Sequence, residues 1–264
     1  MVEANEIGHE YLSDLSPKDD AQNFTIYTHI NLIGRIFEQV EGMLSCIATR
    51  NHASAEALAR VVVEGSTNLM YFSFCGNEKS IISFMAMWVS EHKRKLAEWK
   101  DYITDKDANG TVVAMINKRL EAVNLYEEFV EHGLDKFSVE KNEFPKLWPK
   151  SIFRRFQALG QESSYYTNYH RLSGSSHITA EDTILWLMSI GMGDEDKCKI
   201  GQETLSYSIM MTRISSMSFI DGVAFSCIHH GLEGGEQLNR LLKLKGIIEK
   251  TTHEIAEAAG VPKI

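Results

Sequence analysis

Apolar positions in the first half of the chain recur with the period of an α-helix. Between residues 24 and 47 they lie three or four residues apart, at Phe24, Tyr27, Ile30, Ile33, Ile36, Phe37, Val40, Leu44 and Ile47. This spacing predicts a long amphipathic helix. Similar patterns predict helices over about 53–74, 77–102 and 112–130. We find no sustained alternation of apolar and polar residues, which a half-buried strand would need.

The helical pattern lapses over 133–149, where two of the four prolines of the chain occur. We interpret this stretch as an ordered excursion, because proline interrupts helices. Helices resume near Lys150, and further helices are predicted to begin near residues 180, 202 and 236. The expected fold is all-α, an antiparallel helical bundle with additional C-terminal helices. We expect one domain over 1–264, with residues 1–20 as an N-terminal arm.

Composition narrows the class of protein. Of the 264 residues, 44% are hydrophobic and 24% charged, as in an ordinary globular protein. The N-terminus has no basic start followed by an apolar run, and the most apolar stretches are too short or carry charges, so we expect no signal peptide and no membrane segment. The four cysteines are scattered, which fits neither a disulfide framework nor a zinc site and favours the cytoplasm.

Positive charge is concentrated in one part of an acidic chain. The formal net charge of −9 argues against a protein that coats nucleic acid. Residues 146–177 nevertheless have a local charge of +4, because a single anion, Glu162, accompanies five cations, Lys146, Lys150, Arg154, Arg155 and Arg171. Such an island can concentrate an anionic substrate at one place. The alternative is an ordinary solvated helix face.

The segment from Tyr165 to His177 is the best candidate for chemistry. Tyr169, Ser173 and His177 are four residues apart, which places them on one face of a helix. Arg171 would lie about 120° from His177 on a regular helix, and Gly174 would allow the backbone to deform and bring them together. The alternative is that His177 is a helix cap or a hydrogen-bonded core residue.

A second motif lies in an early predicted helix. Arg60 and Glu64 flank three valines, an arrangement that also fits an internal ion pair tying two helices together. Cys227, His229 and His230 could in principle bind a metal, but no matching pair of ligands is visible elsewhere, and a solvated helix end is the favoured interpretation.

Taken together, these motifs resemble those of a known superfamily. The sequence Arg171-Leu-Ser-Gly-Ser-Ser-His177 resembles the Arg, four to six residues, His motif of the HEPN (higher eukaryotes and prokaryotes nucleotide-binding) superfamily. More closely, Arg60-Val-Val-Val-Glu64 and Tyr169-His-Arg-Leu-Ser173-Gly-Ser-Ser-His177 resemble the Arg-x-x-x-Glu and Tyr-x-x-x-Ser-x-x-x-His patterns of an HEPN-like bacterial family of unknown function. The resemblance covers about 21–187 as a core, with the helices of 188–264 packed on it.

The resemblance implies a metal-independent endoribonuclease of the toxin or phage-defence type, with no cofactor and no metal. His177 would accept the proton of the RNA 2′-hydroxyl, and Arg171 would stabilise the charge on the phosphorus centre. Tyr169, His170 and Ser173 would orient the phosphate or the histidine, and Arg60 would add a second cation held by Glu64. Implied partners are RNA or a nucleotide, a second copy of the chain in a homodimer, and an inhibitory protein.

Two other functions fit the same residues. One is a catalytically inactive HEPN-like module that binds a nucleotide or another anion. The other is an interaction scaffold in which the polar residues form a buried network. Leu172 bears on this choice, because active HEPN ribonucleases often carry a polar residue directly after the motif arginine.

Overall fold

The computed structural model describes residues 1–170, 172 and 180–260. These residues form eleven α-helices and no β-strand, so the all-α prediction is confirmed. In chain order the helices are α1 Val2–Ser13, α2 Asp20–Ala48, α3 His52–Phe74, α4 Glu78–Ile103, α5 Thr111–Lys136, α6 Phe144–Leu147, α7 Ile152–Ala158, α8 Glu162–Ser164, α9 Ala180–Gly191, α10 Asp194–His229 and α11 Glu236–Ala258. Within the described residues, none of these helices combines the length and hydropathy needed to cross a bilayer.

Contacts divide the chain into two compact units. The first comprises residues 1–18, 26–75 and the described part of 152–264. The second comprises residues 19–25 and 76–151. Helix α2 therefore begins in the second unit and continues in the first. The long helices predicted from apolar periodicity are present as α2 to α5, with ends within a few residues of those expected.

Small residues bring α3 and α10 close together in the first unit. Gly222 of α10 lies against Ser66, and a Cβ placed on this glycine would be 3.6 Å from the Ser66 Cα and 3.3 Å from a Leu69 methyl. A few turns away, the Ser215 hydroxyl donates to the Ala59 carbonyl oxygen at 3.4 Å. Because such a contact leaves little room for larger side chains, these positions fix the separation of the two helices.

Helix α1 is part of the core of the first unit. Residues 1–20 were expected to form an arm, yet Ala4, Ile7 and Leu12 are fully buried in one cluster with residues of α2, α3, α10 and α11. A Cβ on Gly8 would come within 2.9 Å of a Val223 methyl, so the helix lies directly on α10. The physical reason is the spacing of these apolar residues, which share one side of a short helix.

The second unit is built on α4 and α5, which run antiparallel. Ile82, near the start of α4, packs on Gly133 near the end of α5, and His92 and Arg119 meet farther along, 3.4 Å apart. The side chain of Asn77 caps α4 by accepting from the backbone N–H groups of Lys79 and Ser80. The stretch expected as an ordered excursion contains a 3-10 turn over Lys141–Glu143 and the short helix α6.

Three histidines meet in the first unit, at the C-terminal end of α10. His29 is fully buried, and its Nδ1 lies 2.8 Å from the Ser226 hydroxyl. Its ring centroid lies 5.1 Å from that of His230 and 5.6 Å from that of His229, whose Nδ1–H donates to the Ser73 carbonyl at 2.7 Å. Burial, followed by the neighbouring histidines, holds the pKa of His29 well below its usual value and lowers the pKa of His230 to about 4.

This cluster predicts a loss of stability in mild acid. His29 and His230 stay neutral in the fold, whereas in the unfolded chain they take up protons below about pH 6.5. Acidification from pH 7 to pH 5 should therefore favour the unfolded state, by up to about 2 kcal/mol for each such histidine. Urea denaturation across this pH range measures the effect.

The variant His29→Gln isolates the contribution of one buried ring. We expect its free energy of unfolding to fall less steeply between pH 7 and pH 5 than that of the wild type. His132→Gln, at an exposed histidine of the second unit, serves as the matched control and should keep the full pH dependence. An unchanged slope in His29→Gln would show that this ring does not drive the acid sensitivity.

Candidate functional site

A polar stripe runs along one side of α3. Arg60, Glu64 and Asn68 are four residues apart, so they lie one above another on the same face of the helix. All three are half-buried. The opposite side of α3 carries small and apolar residues toward α10, among them Ser66. The helix is therefore held on one side by packing and presents a charged face on the other.

A π-helical turn brings Tyr169 onto this stripe. The turn covers Tyr165–Tyr169 and directly follows α8. The hydroxyl of Tyr169 donates to the Glu64 carboxylate at 2.9 Å. It accepts from Arg60 through Nε at 3.3 Å and Nη2 at 3.2 Å. One phenol thus bridges the carboxylate and the guanidinium of the Arg-x-x-x-Glu motif.

The environment keeps this phenol protonated. Tyr169 is only 5% exposed, and burial raises its pKa, with the hydrogen bond from Arg60 acting in the opposite direction. The Arg60 guanidinium also lies 5.4 Å from the centroid of the Tyr169 ring, within the range of a cation–π contact. Because the hydroxyl keeps its proton at neutral pH, it can donate to Glu64 while it accepts from Arg60.

Arg155 places a buried cation beside this group. It lies on α7, is 5% exposed, and donates from its guanidinium to the amide oxygen of Asn68. Burial lowers the pKa of Arg155, while the charge of Glu64 raises it. A guanidinium remains charged at neutral pH under such shifts. Two arginines therefore accompany one carboxylate, and the network has a net positive charge.

Aromatic rings and Leu172 fix the chain on either side of Tyr169. The ring of Tyr165 stacks on that of Tyr169 with centroids 5.7 Å apart, and Phe156 contacts both rings. Leu172 is 2% exposed and belongs to the same apolar cluster as Met43 of α2 and Met211 of α10. The apolar residue that follows the motif arginine therefore has a packing role.

The structure brings together some of the predicted site residues. Arg60, Glu64 and Tyr169 form one hydrogen-bonded group. His170 is exposed, with its ring 6.1 Å from that of Tyr165. Arg171, Ser173 and His177 lie outside the described residues, so their predicted roles stay predictions.

The basic residues of the predicted island have different surroundings. Lys146 and Lys150 are exposed residues of the second unit. Arg154 is exposed in the first unit and donates to the side-chain oxygen of Gln157 at 2.6 Å. Arg155, its neighbour in sequence, is buried in the network with Asn68, because the two side chains leave α7 in different directions.

Sequence reasoning missed Asn68 and the inward role of Arg155. The signal for Asn68 was present, since it continues the Arg60 and Glu64 spacing by one further turn of α3. No comparable signal separates Arg155 from Arg154. Which of two adjacent arginines points inward depends on how α7 is oriented on α3.

Within the described part of the chain, no group of His, Cys, Asp or Glu side chains is arranged to hold a metal ion. This includes the C-terminal end of α10, where Cys227 is fully buried and the pKa of its thiol is raised to about 12 by that burial. There, the Nδ1 of His229 is engaged with a backbone carbonyl. Among the described residues, the candidate site is the group of polar side chains on α3 that hydrogen-bonds to Tyr169.

Comparison with known proteins gives one match. The sequence model of a family of unknown function, DUF5677, matches residues 28–191. This range includes both the Arg60 to Glu64 and the Tyr169 to His177 motifs. No curated protein and no solved structure matches the chain.

The bridging hydroxyl predicts a measurable contribution to stability. Tyr169→Phe removes a hydrogen bond to a carboxylate and two from a guanidinium at a buried hydroxyl, so we expect the free energy of unfolding to fall by about 1–3 kcal/mol. Tyr166→Phe is a matched control, because that ring lies in the same turn and is 61% exposed. Urea denaturation of both variants measures the difference, and equal stabilities would contradict a structural role for the bridge.

The two adjacent arginines predict contrasting mutants. Arg155→Ala removes buried side-chain packing and the hydrogen-bond donor to the Asn68 amide oxygen, and we expect it to cost about 1–3 kcal/mol. Arg154→Ala, at the exposed neighbour, should change stability by no more than about 0.5 kcal/mol. Thermal or urea unfolding measures both, and similar losses in the two variants would contradict the burial of Arg155.

Proposed function

The chain belongs to the family of unknown function DUF5677, and we propose that it is a metal-independent endoribonuclease of the HEPN-like type. The observation that carries the proposal is the position of Tyr169. Its hydroxyl is held between Arg60 and Glu64, and the next residue but one is the motif residue Arg171. A hydrogen-bonded group of side chains therefore holds the residue that lies two positions before the proposed catalytic arginine.

In the proposed reaction His177 accepts the proton of an RNA 2′-hydroxyl. The oxygen then attacks the adjacent phosphorus, the bond from phosphorus to the 5′-oxygen breaks, and the products are a 2′,3′-cyclic phosphate and a 5′-hydroxyl that has gained a proton. Arg171 stabilises the negative charge that develops on the phosphoryl oxygens. In this proposal Ser173 and the exposed His170 orient the phosphate.

The network on α3 positions these groups in the proposal. Tyr169 is held by the hydrogen bond that it donates to Glu64, by those that it accepts from Arg60 and by stacking on Tyr165. Leu172 is buried in the core. Arg171 lies between these two anchored residues in sequence. Such anchoring lowers the entropy cost of holding a catalytic side chain in place. We therefore assign Arg60, Glu64 and Tyr169 as positioning residues.

A second candidate function is binding of RNA or a nucleotide without cleavage. The observation that favours it is Leu172, which is buried where active HEPN ribonucleases often carry a polar residue. A positively charged network is also well suited to binding a phosphate, since arginine forms charge-assisted hydrogen bonds with phosphate oxygens. In this alternative Arg171 and His177 bind the anion and transfer no proton.

An inhibitory protein partner is part of the ribonuclease proposal. An endoribonuclease in the cytoplasm meets the RNA of its own cell at all times, so its activity has to be restrained. A protein that covers the segment from Tyr165 to His177 would do this, as expected for a toxin or a phage-defence effector. The alternative binding function requires no such restraint.

Incubation of the purified chain with end-labelled RNA in excess EDTA tests the proposal. We expect cleavage that leaves a 2′,3′-cyclic phosphate, and a loss of rate of at least about 100-fold in Arg171→Ala and in His177→Ala. Tyr169→Phe should reduce the rate less, whereas the control Tyr166→Phe should not change it. Cleavage that persists in the double variant Arg171→Ala, His177→Ala would show that the site assignment is wrong.

The same samples separate the alternatives. RNA that is retained in filter binding but never cut would favour the binding module, provided that Arg171→Ala weakens retention. Neither cleavage nor retention would exclude both functions and leave an interaction scaffold.

A further inference from the structure

An open cavity with aromatic walls lies in the second unit, where α6 packs on α4. Its volume is about 470 Å³, which is within the usual range of small-molecule sites in proteins. The lining is mainly apolar and includes Phe84, Met87, Trp88, Phe144 and Trp148. Such a site commonly combines apolar walls with a few polar groups that orient a ligand.

The ordered excursion after α5 supplies one wall of this cavity. A capping box fixes the chain before α6, because the Glu143 carboxylate accepts from the Glu140 backbone N–H at 2.9 Å. The backbone N–H of Trp148 donates to the Phe144 carbonyl oxygen at 2.8 Å. Both side chains are buried, and the Trp148 ring lies 5.0 Å from that of Phe84 on α4, measured between centroids. The wall is therefore part of the packed fold.

Trp88 gives the cavity an accessible aromatic ring. Its side chain is 44% exposed. His92, one turn farther along α4, stacks on it with ring centroids 4.8 Å apart and planes 13° apart. This contact holds the indole in one orientation. A ring that is already held in place stacks on a planar ligand at a small cost in conformational entropy.

Two carboxylates hold Arg94 at the edge of the cavity. Its Nε and Nη2 donate to the two oxygens of Glu91, at 3.1 and 2.8 Å, and its Nη1 donates to Glu98. These bonds use three of the five N–H groups of the guanidinium, so two remain for a ligand. Lys150 is a second cation of the lining, and among the described residues Glu91 is its one anion. The lining therefore has a net positive charge.

We propose that this cavity binds a small aromatic carboxylate, with the ring of the ligand against Trp88 and its carboxylate on Arg94. A planar ring matches aromatic walls, because aromatic rings pack well in offset or edge-to-face contacts. A carboxylate matches the guanidinium, because charge-assisted hydrogen bonds form between them. The proposal concerns residues of the second unit alone and does not rest on ribonuclease activity.

A quaternary ammonium ligand agrees less well with the charges. Aromatic rings bind such cations through their π faces, and Glu91 would have to supply the negative charge. Both oxygens of Glu91 already accept from Arg94, and the Lys95 Nζ lies 3.4 Å from one of them. The net positive charge of the lining also repels a cation.

Isothermal titration calorimetry of the purified full chain tests the proposal with three probes that share one ring system. The probes are 2-naphthoate, 2-naphthalenemethanol and 2-naphthylmethylamine, which are an anion, a neutral molecule and a cation at neutral pH. We expect 2-naphthoate to bind with a dissociation constant of about 0.1 mM. The alcohol should bind at least about tenfold more weakly, since it forms no charge-assisted hydrogen bond, and the amine more weakly still. No binding of 2-naphthoate at about 1 mM, or tighter binding of the amine, would overturn the proposal.

Two tryptophans of α4 locate the binding site. Trp88→Ala removes the accessible ring and should weaken the binding of 2-naphthoate by at least about tenfold. Trp99→Ala is the matched control, because Trp99 is 47% exposed on the same helix and does not line this cavity. Its affinity should remain that of the wild type. Equal losses in the two variants would show that the probe binds elsewhere on the chain.

Two neighbouring cations test the contact with the carboxylate. Arg94→Gln should weaken the binding of 2-naphthoate by about tenfold and leave that of the alcohol unchanged. Lys95→Gln removes the same charge from another partner of Glu91, yet Lys95 does not line the cavity, so the affinity should change by no more than about twofold. Similar losses in both variants, or an equal loss of acid and alcohol binding in Arg94→Gln, would overturn the assignment of Arg94.

Circular dichroism establishes that each variant remains helical. Should Trp88→Ala lose its helical signal, the comparison of Arg94→Gln with Lys95→Gln decides, because both side chains are exposed and their replacement leaves the core unchanged.

Discussion

The close packing of α3 on α10 is the contact on which the rest of the first unit depends. It is possible because Gly222 meets Ser66 and Ser215 reaches the Ala59 carbonyl, so that the two backbones approach. Helix α3 carries the polar stripe of Arg60, Glu64 and Asn68 on the side that faces away from α10. The packing of α3 on α10 fixes the position of α3 along its axis and its rotation about that axis. A larger residue in place of one of these small residues would therefore displace Arg60 and Glu64, although these two residues would themselves be unchanged.

The charged side of α3 is unfavourable to bury, and it also restricts how the π-helical turn can dock. Two arginines and a glutamate are removed from most of their water, which is unfavourable unless every charge finds a well-placed partner. Tyr169 and Asn68 supply such partners with neutral groups. The neutral hydroxyl of Tyr169 hydrogen-bonds to both Arg60 and Glu64. If the π-helical turn docked elsewhere, these charged groups would lose that partner and would be poorly solvated. The network therefore specifies where the turn can dock.

Much of the fold follows from local patterns, and much of the site does not. Helices α3 and α4 were predictable because apolar periodicity is a local signal that acts within a few residues. Helix α1 was taken for an arm, since its few apolar residues become informative only when α10 covers them. Arg60, Glu64 and Tyr169 were found from spacing and resemblance, whereas the inward direction of Arg155 depends on tertiary packing.

The π-helical turn at Tyr165–Tyr169 also affects how this chain should be aligned. A π-helical turn has i→i+5 hydrogen bonds in place of the i→i+4 bonds of an α-helix, so it accommodates one extra residue in the helix. Among relatives, the loss of one residue at this turn would leave a regular α-helix with its flanking residues in place, whereas the loss of one residue within a regular helix would rotate the residues that follow by about 100°.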